Sequence, residues 1–115
     1  MELEEYGLLY GIDEIYNSEL KSNKIGYVYI IKNKTLHTIK IGKSVNPRKR
    51  IRDIQNAAGC EMETIALIPC KLYSELEKDL HSEFGQDRLD YGEWFNLSTN
   101  IRQFIDMIDV DWGVR

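Results

Sequence analysis

Tyr29, Lys40, Arg50, Glu77, His81 and Glu93 are side chains able to move protons, hold cations or grip phosphates. Tyr27, Tyr29 and Ile31 alternate along an apolar, β-branched run, so a period of two puts them on one face of a strand. Lys40 falls in the next alternating run. A phenol and an ammonium on paired strands can orient or deprotonate a water, the ammonium only where burial or nearby positive charge weakens its hold on its proton. Arg50 stands four residues before Ile54 and so borders the buried stripe of a helix. A guanidinium held there can fork two bonds to a phosphate and favour the extra charge of a pentacovalent transition state. Glu77 and His81 lie one helical turn apart, at the edge of a stripe made by Leu76, Leu80 and Phe84. A carboxylate in that position is part-buried, which costs free energy unless it is paired or binds a metal. The same wheel brings Glu83 near the stripe, so it does not single out Glu77. Glu93, in Gly92-Glu93-Trp94-Phe95, reads as a second acidic site residue or as a solvated one.

These groups need elements to hold them. Leu9, Ile12, Tyr16 and Leu20 recur at helical spacing and predict an amphipathic helix within residues 3–20, weakened in its first half by Gly7 and Gly11. Gly26 to Lys32 reads as a strand, Asn33-Lys34-Thr35 as a turn, and Thr38 to Gly42 as a second strand, together an antiparallel hairpin. Asn46-Pro47 opens a helix with a good cap and a first-turn proline. Its apolar stripe is Ile51, Ile54 and Ala58, and Gly59 ends it. Thr64 to Ile68, closed by Pro69, is a third strand, and residues 72–84 form another helix. After a turn at Tyr91-Gly92, Ile101, Phe104, Ile105 and Ile108 mark a final helix. This order describes an α+β domain, a small sheet covered by helices. The boundaries read as an N-terminal helix and connector at 1–24, a central domain at 25–98, and a C-terminal helix at 99–115 packed on it.

At 115 residues with 43% apolar and 30% charged side chains, one domain with a core of its own is expected. The net charge of −4 conceals blocks: residues 1–20 hold six acids and no base, residues 21–52 ten Lys or Arg and no acid, and residues 53–115 thirteen acids and five bases. The basic block, which includes Lys43, Arg48, Lys49 and Arg52, reads as a phosphate footprint or as a solvated face. Overall acidity argues against a high-affinity, non-specific DNA coater. No run is long enough to span a bilayer, and the acidic start is unlike a secretory signal. Cys60 and Cys70 are too few for a disulfide scaffold and lack the Cys-x-x-Cys spacing of a zinc site, so a reducing cytoplasm is the expected compartment.

Taken in order, the motifs resemble the GIY-YIG nuclease superfamily, with Tyr27-Val28-Tyr29 standing for its first motif and Lys40-Ile41-Gly42 for its second. The resemblance covers about residues 25–98. It is nearest to a small phage and microbial branch related to a phage T5 open reading frame. That branch is similar in its Lys-Ile-Gly, its Asn-Pro before a helical Arg, its Glu with His four residues on, and its Gly-Glu-Trp-Phe ending. The resemblance implies a metal-dependent endonuclease built on a three-stranded antiparallel sheet flanked by helices. Glu77 would hold a Mg²⁺ (or Mn²⁺), Arg50 would neutralise the scissile phosphate, and Tyr29, aided by Lys40 or His81, would position or deprotonate the attacking water. DNA is the expected polymer, with RNA left open. Most of the superfamily has Tyr where this chain has Lys40, and the terminal Asn that many members place near the metal has a loose counterpart in Asn96. A bare module of this kind has little surface for sequence readout. Two readings without catalysis also stand: a nucleic-acid-binding or regulatory module on the same scaffold, and a homodimer formed through the N-terminal helix.

Overall fold

The computed structural model describes residues 3–6, 26–90 and 92–112, with side chains to 108 in the last segment. Leu3–Tyr6 form a short 3-10 turn. The rest of the helix predicted within 3–20, and the dimer contact built on it, lie outside the described residues.

Strand β1 (Gly26–Asn33) and strand β2 (Thr38–Ser44) form the predicted hairpin, with Tyr29 opposite Gly42 and Ile31 opposite Lys40. Asn33 shapes the turn: its side-chain oxygen accepts from the backbone N–H of Thr35 and Leu36 at 2.9 and 3.0 Å. Helix α1 (Pro47–Ala58) begins at Asn46, whose side chain caps the N–H of Lys49, and ends at Gly59 in the left-handed region at φ 68°. Strand β3 (Met62–Cys70), helix α2 (Tyr73–Glu83), strand β4 (Trp94–Asn96) and helix α3 (Thr99–Trp112) complete the described chain.

The sheet runs β3-β1-β2-β4 with every neighbour antiparallel. It has four strands where three were expected. The addition, β4, is three residues long, too short for any periodicity to show, and it is anchored by Phe95, which is fully buried. Strand β3 also runs past Pro69 instead of stopping there. As an edge strand it has a side with no ladder bonds to supply, so the missing N–H costs nothing.

Alternation along the strands sorts the core into two layers. Val28, Ile30, Ile39, Ile41 and Phe95 face Leu76 and Leu80 of α2 and Ile101, Phe104 and Ile108 of α3. On the opposite face Tyr29 and Ile31 pack with Met62 and with Ile51 and Ile54 of α1. Ala58, placed on that stripe from the sequence, is exposed; the part-buried residue of that turn is Gln55, whose Oε1 takes the N–H of Met62 at 2.9 Å. Among the described residues no helix is long and apolar enough to cross a membrane.

Candidate metal centre

Glu77 sits on α2 between the buried Leu76 and Leu80, so the turns that bury those leucines also carry the carboxylate inward. It is 8% exposed, whereas Glu83, its rival on the helical wheel, is exposed. Glu77 makes no ion pair or hydrogen bond with any described residue. Burial, then the neighbouring Glu93 carboxylate, pushes its acid above the ordinary range, while His81, Lys43 and Lys40 pull the other way. A nearly buried carboxylate beside a like charge is the arrangement a cation relieves.

His81 is held from two sides. Its Nε2 lies 2.7 Å from the Ile41 carbonyl oxygen, and its ring meets Phe95 edge-on at 5.2 Å. A carbonyl can only accept, so Nε2 carries a proton, and in the neutral ring the lone pair is on Nδ1. The bond exists because β4 stops short. Its pairing with β2 covers Thr38 to Lys40, the Glu93 carbonyl takes the Ile41 N–H at 3.3 Å, and His81 takes the carbonyl on the same edge.

Glu93 precedes β4, and its Oε2 accepts from Lys40 Nζ at 3.2 Å. That ammonium is largely buried and also lies 5.6 Å from the centre of the Trp94 ring. Lys40 therefore fixes Glu93 and does not stand free as a base. One potential ligand atom each from Glu77, His81 and Glu93 falls within 4.8 Å of the others. Two carboxylates and an imidazole suit a divalent cation, and the Glu77 carboxylate, without a partner among the described residues, strengthens the fit.

Tyr29 lies on the opposite face of the sheet from α2. A Cβ on Gly42 would run into its phenol, which gives Lys40-Ile41-Gly42 a steric reason to end in glycine. Burial raises the phenol above its ordinary range. The neighbouring Arg50 guanidinium lowers it, and the Glu93 and Glu77 charges raise it again. The phenol on β1 is thus in electrostatic reach of the Arg50 guanidinium on α1 and of the Glu93 and Glu77 carboxylates.

The other predicted residues are placed as follows. Tyr27 is half-buried one register step from Tyr29, opposite Ser44. Lys43 is exposed and donates to Ser74 Oγ at 3.2 Å, near the start of α2. Arg48 and Arg52 are exposed on α1, and Lys49, also exposed, pairs with Asp53 at 3.3 Å. Asn96 is exposed and pairs with Thr38 in the β2–β4 ladder, three residues after Glu93. Sequence reasoning offered Glu93 as a second acidic site residue or a solvated one, and left out its pairing with Lys40 and its closeness to His81.

Fold and site together define an α+β domain with a carboxylate–imidazole cluster at the edge of an antiparallel sheet. Residues 26–110 match the T5orf172 domain, and the chain belongs to that family, a phage-associated one with a nuclease-like association. No curated protein and no solved structure matches it.

Proposed function

We propose that the protein is a metal-dependent endonuclease of GIY-YIG type that hydrolyses DNA phosphodiester bonds. The observation that carries this reading is the buried Glu77, without a partner among the described residues, beside His81 and Glu93, with Tyr29 in electrostatic reach and Arg50 next to that phenol. A divalent cation such as Mg²⁺ or Mn²⁺, when bound, would act as a Lewis acid toward the scissile phosphate and its leaving oxygen. Glu77 would hold that cation, with Glu93 kept in place by Lys40. Arg50, exposed at its tip, would grip the non-bridging oxygens and favour the in-line, more highly charged geometry. Tyr29 Oη would orient the attacking water. Lys43, Arg48 and Arg52 would track the flanking backbone, supplying affinity but little sequence preference.

The test is incubation of the full chain with supercoiled plasmid and Mg²⁺ or Mn²⁺, beside Glu77→Ala. Metal-dependent nicking by the wild type alone supports the reading. Equal nicking by both proteins, or none from either, refutes it. Salt-sensitive DNA binding without nicking would instead make the domain a non-catalytic binder, and single-stranded RNA run in parallel decides the polymer.

A further inference from the structure

We infer that the centre takes a divalent transition metal in preference to Mg²⁺, through three protein ligands: a Glu77 carboxylate oxygen, His81 Nδ1 and a Glu93 carboxylate oxygen. This rests on the cluster being a metal centre and goes beyond it by naming the ligands and the class of ion.

Three independent placements point the same way. The Glu77 carboxylate is 8% exposed and without a partner among the described residues. The imidazole Nε2 faces the Ile41 carbonyl oxygen at 2.7 Å and the ring is braced by Phe95, so the neutral ring donates from Nε2 and offers its lone pair at Nδ1. An outer hydrogen bond that sets the tautomer of a histidine is what a metal-ligating imidazole needs. Glu93 has one carboxylate oxygen committed to Lys40, which leaves the other available and its orientation fixed. One carboxylate oxygen from each Glu and one ring nitrogen of His81 lie within 4.8 Å of one another, and ligands at about 2.1–2.2 Å from an ion stand roughly 3–4.4 Å apart.

Donor type then decides between ions. Mg²⁺ demands near-ideal octahedral oxygen coordination and keeps several waters, so an imidazole nitrogen gains it little. For first-row transition metals an imidazole is an ordinary ligand, and two carboxylates beside it supply charge neutralisation. Mn²⁺ serves as the probe because it binds oxygen and nitrogen donors alike and can be observed directly.

The experiment measures Mn²⁺ binding to the full chain by loss of the free-ion electron paramagnetic resonance signal, with Mg²⁺ as competitor, for wild type and His81→Ala. Pulsed measurement of ¹⁴N coupling to bound Mn²⁺ in the unaltered protein gives a readout that does not depend on the variant folding. The expected result is ¹⁴N coupling in the wild type and Mn²⁺ held at least about tenfold more tightly than Mg²⁺. His81→Ala should lose roughly 10–100-fold in Mn²⁺ affinity with Mg²⁺ affinity little changed. Bound Mn²⁺ without nitrogen coupling, or equal losses for both ions, overturns the ligand assignment and leaves a carboxylate-only centre standing. No binding of either ion overturns the metal centre and this inference together.

Discussion

Replacing Glu77 by Gln should stabilise the metal-free protein while removing its function. The substitution keeps the shape of the side chain and deletes a charge that burial and Glu93 both oppose. Two unit charges no more than 4.8 Å apart repel by at least about 3 kcal/mol at an effective dielectric near 20. The Lys40 ammonium, 3.2 Å from Glu93, cancels much of that field and leaves a net gain of roughly 1–2 kcal/mol for the variant. For a chain of this length that is about 4–8 °C in melting temperature. Thermal unfolding followed by circular dichroism in chelator reads it. With Mn²⁺ at about 100 times its dissociation constant, the wild type should gain about 2.7 kcal/mol and overtake the variant, which gains little. The sign with pH is also set. The folded-state acid lies above its unfolded value of 4.5, so its contribution to stability is fully present below that value and is lost as pH rises through the raised one. The gap between the two proteins should therefore be widest near neutrality and close on acidification. A variant less stable than the wild type in chelator would refute the reasoning, because it would mean that the carboxylate is held by its surroundings in a structural role.

Three further outcomes follow from the same geometry. Gly42→Ala drives a Cβ into the Tyr29 phenol and should cost roughly 1–3 kcal/mol and nearly all nicking; Gly26→Ala, which strikes Tyr73 outside the cluster, should cost comparable stability in urea denaturation but spare more activity. Arg50→Ala should leave stability within about 0.5 kcal/mol, since the side chain is exposed, yet lower plasmid nicking by about 10²–10³-fold, and Arg50→Lys should restore only part because a point charge cannot fork. The Tyr6 phenol donates to the Asp79 carboxylate and is pushed up to about 12, so phenolate absorbance in an alkaline titration should show a late step that Tyr6→Phe removes. The stability from that bond is present below the ordinary value of 10.0 and lost as pH climbs through the raised one.

What could be read from the chain beforehand divides along a physical line. The β1–β2 hairpin, the capped ends of α1 and the buried stripe of α3 are each written into contiguous residues, through alternation, Asn46-Pro47 and Gly59, and the spacing of Ile101, Phe104 and Ile108. β4 is three residues long and owes its place to a partner strand more than fifty positions earlier, so no local pattern announces it. The site divides in the same way. Glu77 and His81 share one helix turn, and that spacing is visible before any fold is known. Choosing Glu77 over Glu83 needed the sheet, because burial depends on where the face of α2 meets β1 and β2. Lys40 and Glu93 meet across 53 positions, and their pairing changes what each can do: the ammonium that looked like a candidate base is spent on orienting an acid, and the acid that read either as a second site residue or as solvated is fixed beside Glu77. Placing Lys at the second motif and Glu before Trp94 is then one decision, not two. A chain with an uncharged side chain at position 40 would leave Glu93 a half-exposed carboxylate free to turn to solvent. Lys40→Met, which keeps the length and apolar stem, should accordingly loosen Glu93, and the third ligand should be lost even though removing a nearby positive charge would by itself draw a cation closer. Net weakening of Mn²⁺ binding in that variant means that orientation outweighs charge at this centre; net tightening means that Lys40 serves only to hold charge balance, and the coupling argued between the two positions fails.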